Sequence, residues 1–253
     1  MAFLFHEFFY IPLYNGLIFF IDIIPFHNAG FVVILFTCII KIIIFPLSQK
    51  AIKTQFEMKK IEPELNILKL KYKDDKKLQA EKIMALYKDK GVNPFSGIFS
   101  MLIQFPILIA LYFVFLNGGL LKIDTSILYP FIKIPDIINM NFFGINITDK
   151  STIFAFLVAI AQFFQMQITL PKPKKDEKKD GKNIVFSDEL AKSMNMQMKY
   201  VMPVIMFFIA KSFPLVISLY LITSSLFAIG QEFYVKFLFT KKEKIIIGKE
   251  NKK

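Results

Sequence analysis

Tryptophan is missing from this 253-residue chain, so any aromatic belt at a membrane surface must be built from tyrosine, phenylalanine and lysine. Cysteine occurs once, at Cys38, which excludes an internal disulfide and reads as an inert buried thiol. Histidine occurs twice, at His6 and His27, and neither has cysteine or carboxylate partners at metal-binding spacing. No glycine-rich phosphate loop and no G-x-S-x-G elbow is present. The chain is therefore read as a non-enzyme without cofactor or metal. Its first ten residues lack a basic region and no small-residue cleavage site follows, so they do not read as a signal peptide.

Apolar surface is what the chain has in excess. It is 55% hydrophobic and 16% aromatic, with a mean hydropathy of +0.49, far too apolar for a soluble domain of this size. A polytopic membrane protein is expected. The net charge of +12 comes from lysines clustered between apolar runs. That pattern suits cytoplasmic loops near anionic lipid or ribosomal RNA, and not specific nucleic-acid recognition.

The chain is organised around the apolar run 29–47, long enough to cross a hydrocarbon core of about 30 Å. Lys41 interrupts it, and no acid lies three or four residues to either side. An ammonium at mid-bilayer costs about 2.5–3.5 kcal/mol, so it faces a wet cavity or a partner. The alternative is snorkelling, since Lys41 lies about two turns from the end of the run. Ahead of it, the stretch 13–24 is bracketed by Pro12 and Pro25 and places Leu13, Leu17, Phe20, Ile21 and Ile24 on one face. It reads as an amphipathic helix too short to cross, lying in the interface, with a stubby extra span as the alternative.

Beyond Ser48 the composition turns lysine-rich. Leu65, Leu68 and Tyr72 form one stripe, and Ala80, Ile83, Met84 and Tyr87 another, with a polar break at Lys73-Asp74-Asp75-Lys76. Two antiparallel cytoplasmic helices over 48–94 are expected. A second span over 95–116 contains Gln104 and Pro106, and Asn117-Gly118-Gly119 makes a turn. The loop 117–151 is charge-balanced, and its Asn146-Ile147-Thr148 matches the glycosylation acceptor pattern, a match common by chance. A third span covers 152–170. A lysine-rich linker (171–182) and a short helix (187–197) make up most of the loop 171–199. Spans 200–212 and 213–238 follow, then a basic tail, 239–253, expected to be disordered. The expected fold is thus an all-α membrane protein of five transmembrane helices, with a cytoplasmic helical hairpin and an N-terminal interfacial segment, 1–28. The lysine bias puts the N-terminus outside and the tail inside.

Thr37, Gln104, Gln162, Gln165, Thr223, Ser224 and Ser225 are the neutral polar residues within these spans. Singly, each is more often a helix-packing group than a functional one. Together with Lys41 they suggest a polar groove.

Three stretches carry a family resemblance. They are YIPLYNGLIFFIDIIP running into GFVVILFTCIIKIIIFPLSQKAIK, then KIMALYKDKGVNPFSGIFSMLIQFPILIALYFVF, then MKYVMPVIMFFIAKSFPLVISLYLITSSLFAIGQEF. In this order they resemble the Oxa/YidC/Alb family of membrane protein insertases, in the bacterial form without the large outer domain. The resemblance implies five spans around a hydrophilic groove open to cytoplasm and lipid and closed to the outside. Its first-span cation, usually arginine, falls on Lys41, and its third-span groove glutamine on Gln165. The fifth-span tryptophan and asparagine positions read Leu221 and Ser225. The client-binding set expected here is Lys41, Gln104, Gln165, Thr223 and Ser225. Implied partners are nascent membrane proteins, the ribosome, the Sec translocon and the lipid bilayer, and the implied location is the bacterial plasma membrane. A small ion or solute transporter using Lys41 as its binding charge is the alternative, though no internal repeat supports it. A chaperone that assembles proteins already inserted is a third reading.

Overall fold

The computed structural model describes residues 3–24, 27–93, 96–116, 122–169 and 196–250. The expected linker 171–182, nearly all of the short helix 187–197 and the turn at Asn117-Gly118-Gly119 lie outside them. Helix α1 runs over Phe3–Ile23 as one apolar stretch of 21 residues. It is longer than the sequence reading allowed. A π-helical turn, His6–Tyr10, leads into the α-helical part, and Pro12 falls at its first turn, where a missing N–H disrupts nothing. By length and composition α1 is able to cross a bilayer.

Helix α2, Ala29–Lys71, is 43 residues long and contains Pro46 and Pro63. The change of composition at Ser48 does not break it, because its lysines, glutamate and alanine are good helix formers. Lys69 and Lys71 lie in its last turn, where cations meet the negative end of the helix dipole. Helix α3, Lys76–Asp89, is capped by Asp75, whose carboxylate accepts from Leu78 N at 2.9 Å. Gly91, at φ +63°, ends it. α3 returns along the end of α2, with Ile61, Leu65 and Val92 buried together against Ile83, Leu86 and Tyr87. Gln79 Nε2 donates to Lys69 O at 2.7 Å, and Lys90 Nζ meets Glu64 Oε1 at 2.8 Å.

Helix α4 covers Ser96–Leu116, α5 Thr152–Thr169, α6 Met202–Ser212 and α7 Leu215–Glu250. The tail expected to be disordered continues α7 as helix up to Glu250, which its lysine- and glutamate-rich sequence favours. Among the described residues, four helices have a stretch long and apolar enough to span a membrane: Phe3–Ile23, Ala29–Met58, Thr152–Thr169 and Leu215–Phe239. In α4 the apolar stretch among the described side chains is the shorter Phe105–Phe115. The molecule is an all-α membrane protein. Among the described residues the one sheet is a two-residue pairing of β1, Asn141–Phe142, with β2, Ile145–Asn146.

The helices pack in the succession α4, α2, α7, α5, α6, with α7 in the middle. The main apolar core lies at one end, here the loop end, where α2, α5 and α7 begin. Leu17, Ile18, Ile21, Val32, Val33, Leu111, Val114, Leu215 and Tyr220 are fully buried there. Lipid tails are as apolar as these side chains, so close fit holds this end together more than escape from water does. A Cβ on Gly16 would come within 2.6 Å of the Phe36 ring.

Side-chain amides stitch the loop to the helices. Asn15 Nδ2 donates to Ile127 O at 2.8 Å and its Oδ1 accepts from Tyr129 N at 2.7 Å. Asn28 caps α2 by accepting from Gly30 N and Phe31 N, and donates to Asn141 O at 2.7 Å. The backbone of Asp149 and Ile147 accepts from Leu215 N and Val216 N, the first turn of α7. Asn146, of the acceptor-like triplet, spends its Oδ1 on the amide and hydroxyl of Thr148.

Candidate functional site

Away from the loop end the interior becomes polar. Lys41 is half-buried on α2, between two informative neighbours at helical spacing. One turn before it, Thr37 is buried and its hydroxyl donates to Val33 O at 2.6 Å. One turn after it, the Phe45 ring lies 5.9 Å from that of Tyr234 on α7. The Lys41 stripe of α2 therefore turns towards α7.

On α7, Ser225 is 4% exposed and its hydroxyl lies 3.2 Å from Gln162 Oε1, joining α7 to α5. Ser224 is buried beside it, and Thr223 is half-buried. Gln165 follows Gln162 by nearly one turn of α5 and is half-buried. Gln104 belongs to α4, but its side chain lies outside the described residues. Of the expected site residues, Ser225 is joined across helices to Gln162, a polar residue outside the expected client-binding set.

Three further polar residues escaped the sequence reading. Glu232, on α7, is 3% exposed, and its Oε1 is 3.2 Å from Lys236 Nζ. The same ammonium donates to Ile168 O of α5 at 2.9 Å and lies 5.9 Å from the Phe56 ring of α2. One cation thus touches the three helices around the far end of the polar strip. Gln231 is buried, and its amide nitrogen has no hydrogen-bond partner among the described residues. A buried donor left unmet is costly and marks a place for water or a polar guest. The signal was legible: Gln231, Glu232 and Lys236 interrupt the last apolar run, the acid and base four residues apart. Among the described residues, no group of three histidine, cysteine or acidic side chains is placed to hold a metal ion.

Residues 19–243 match the model of the family described as 60Kd inner membrane protein, the YidC/Oxa family. The chain belongs to this family. It is 31% identical over 208 residues to proteins named membrane protein insertase YidC from Francisella tularensis subsp. novicida (strain U112), subsp. holarctica (strain LVS) and subsp. tularensis (strain SCHU S4). In each case the aligned region is 82% of this chain and 32% of the relative, so the chain spans about a third of the length of these relatives. Family and apolar helices together make this YidC/Oxa-family chain a multi-pass inner-membrane protein. The matched region runs from within α1 into the last part of α7, and includes the polar strip and its neighbours Gln162, Gln231 and Glu232.

Proposed function

We propose that this chain is a membrane protein insertase that receives nascent membrane proteins in a hydrophilic groove open to cytoplasm and lipid. The observation that carries this reading is the division of the bundle. The loop end is apolar and stitched, whereas beyond it Ser224, Ser225, Gln231 and Glu232 are buried, and Lys41, Gln162, Gln165 and Thr223 half-buried. Moving an unsatisfied polar group through hydrocarbon costs several kcal/mol. A wet recess reaching part-way into the bilayer shortens that barrier and offers interim hydrogen bonds. The client's own apolar segment then slides into lipid, with no nucleotide hydrolysis.

In this reading five spans surround the groove: 29–47, 95–116, 152–170, 200–212 and 213–238. The loop end faces outward, because lysines crowd the stretches 48–94 and 171–199 and the tail, while 117–151 holds three. α1 lies along the outer interface, and α2 and α3 extend into the cytoplasm as a hairpin that meets the ribosome. Gln104 completes the groove from α4. Lys41 attracts acidic residues of the client's outward-bound tail as a point charge, without the two-pronged grip of an arginine. The chain acts on its own or beside the Sec translocon.

Reconstituted vesicles programmed with ribosome-bound nascent chains test this. At an effective dielectric of about 20, an ammonium and a carboxylate about 8 Å apart attract by about 2 kcal/mol. Lys41→Ala should therefore lower insertion of an acidic-tailed client by about tenfold or more, while Lys41→Arg preserves it. Full insertion by the alanine variant would defeat the groove-charge mechanism. Ion or solute flux in vesicles free of nascent chains would instead make the chain a transporter.

A further inference from the structure

The turn between β1 and β2 is built against its own backbone preferences. It has two residues, Phe143 at φ +49° and Gly144 at φ +83°. Tight hairpins with two left-handed residues ordinarily place asparagine or aspartate first and glycine second, because a side chain on Cβ crowds the backbone there. Here the first position holds phenylalanine, and the residue is 80% exposed. An exposed aromatic on a strained backbone gains little from the folded chain itself.

Its neighbours indicate what covers it. The Phe143 ring lies 6.0 Å from that of Phe31, which also meets Phe142 at 5.2 Å. Phe31 heads the exposed stripe of α2 that continues through Leu35 and Ile42, each on the same helical face. In a helix that crosses a bilayer, that stripe faces acyl chains. Phe143 prolongs it past the helix start. The turn is also held firmly in place: Phe142 is buried over Gly30, and Asn28 bonds both the first turn of α2 and Asn141 O.

We infer that the β1–β2 turn is a lipid-binding anchor, with Phe143 and Phe31 seated at the boundary between headgroups and acyl chains of the leaflet at the loop end. In a chain without tryptophan, these rings take the place of the usual interfacial indoles. The anchor also sets a depth. Lys41 lies ten residues below Phe31, about 15 Å along the helix, which is about half of a hydrocarbon core of about 30 Å. Fixing the rings at one boundary holds the Lys41 backbone near the mid-plane. The inference needs only that α2 crosses the membrane, whether or not the chain inserts proteins.

The absence of native tryptophan makes the test direct. A Phe143→Trp variant of the full chain, in phosphatidylcholine–phosphatidylglycerol vesicles, carries one indole. The expected result is blue-shifted emission, strong quenching by lipids brominated near the headgroup end of their acyl chains, and protection from aqueous iodide. Quenching by iodide with no effect of brominated lipid overturns the anchor. Protection from both quenchers also overturns it, since another protein then covers the ring. Should the indole disturb the turn, a nitroxide at Phe143→Cys in a Cys38→Ser background reads the same depth from oxygen against nickel-chelate accessibility. Greater access to the chelate than to oxygen rejects the proposal; the reverse supports it.

Discussion

At the loop end, Asn15, Asn28 and Tyr14 each bond backbone groups more than a hundred residues away, and the amides of Leu215 and Val216 are taken up by Asp149 and Ile147. At the α3 end, the bonds between helices come from charged and flexible side chains: Lys90 to Glu64, Lys236 to Ile168, Gln79 to Lys69. One end satisfies irregular backbone inside protein, as a membrane demands of it. The other uses side chains that can exchange partners, and keeps a buried amide on Gln231 in reserve. The same helices are thus locked where they begin and adaptable further on.

Two helical glycines offer the strongest way to break this contrast. A Cβ on Gly30 would lie 2.4 Å from Cδ2, 2.8 Å from Cγ and 3.0 Å from Cβ of Phe142. These atoms are too near the Phe142 backbone to swing away, so Gly30→Ala must displace β1 itself. A loss of about 2–3 kcal/mol is expected, read as a lower melting temperature in detergent. A Cβ on Gly230, on the polar part of α7, would meet nothing within 4 Å. Gly230→Ala should leave the melting temperature unchanged or raised, because alanine is the better helix former. Equal losses at both positions would show that the two regions are packed alike.

A smaller effect is expected at Lys236. Replacing it with methionine keeps the stem against Phe56 but removes the ammonium from Glu232 and Ile168 O. Removing one member of a fully buried pair costs about 3–5 kcal/mol, but Lys236 retains solvent access, so about 1–2 kcal/mol is expected here. Glu232→Gln combined with Lys236→Met should recover part of the loss, since no carboxylate is then left buried. A double-mutant cycle with no coupling between positions 232 and 236 would mean that the ammonium serves Ile168 O alone.

How much of this was legible follows from what each signal encodes. The excess of apolar residues and the lysine clusters made the all-α membrane class plain, because a bilayer constrains composition before it constrains contacts. The motifs around NPFSG and QFPILIALY pointed to the family that the chain belongs to. Proline misled at Pro12, where the first turn of an α-helical segment tolerates it, and lysine misled in the tail, where charge reads as disorder although the residues are good helix formers. That Ser225 meets Gln162 depends on the rotation of α5 against α7. Rotation of that kind is set by packing between segments 63 residues apart, and no local pattern records it. Phe143 is the converse case: its sequence reads as an ordinary loop, and only its φ and exposure make it notable.

The contrast can be sharpened last with pH, where the two ends carry effects of opposite sign. In the loop, Asp124 Oδ1 accepts from the hydroxyl of Ser126 at 2.6 Å and from its amide at 3.0 Å, and these bonds hold the carboxyl below its ordinary 3.8. Because the charged form is favoured in the fold, this contribution is complete above the ordinary value and fades as pH falls through the lower, folded one. Beside α3, Glu64 raises the Lys90 ammonium above its ordinary 10.5, so that contribution is complete below 10.5 and fades as pH rises through the higher, folded value. Both groups are solvent-exposed, so each effect is small against the two above. The Ser126 amide shift, followed by NMR from pH 6 downwards, should titrate with a midpoint below 3.8, and Ser126→Ala should bring the Asp124 midpoint back up. A wild-type midpoint at or above 3.8 would mean that the turn is held by the Tyr14 hydroxyl on Asp124 N and not by the carboxylate. The stretch around Asp124 would then be held by α1, through Tyr14 and Asn15, and acid would leave it locked.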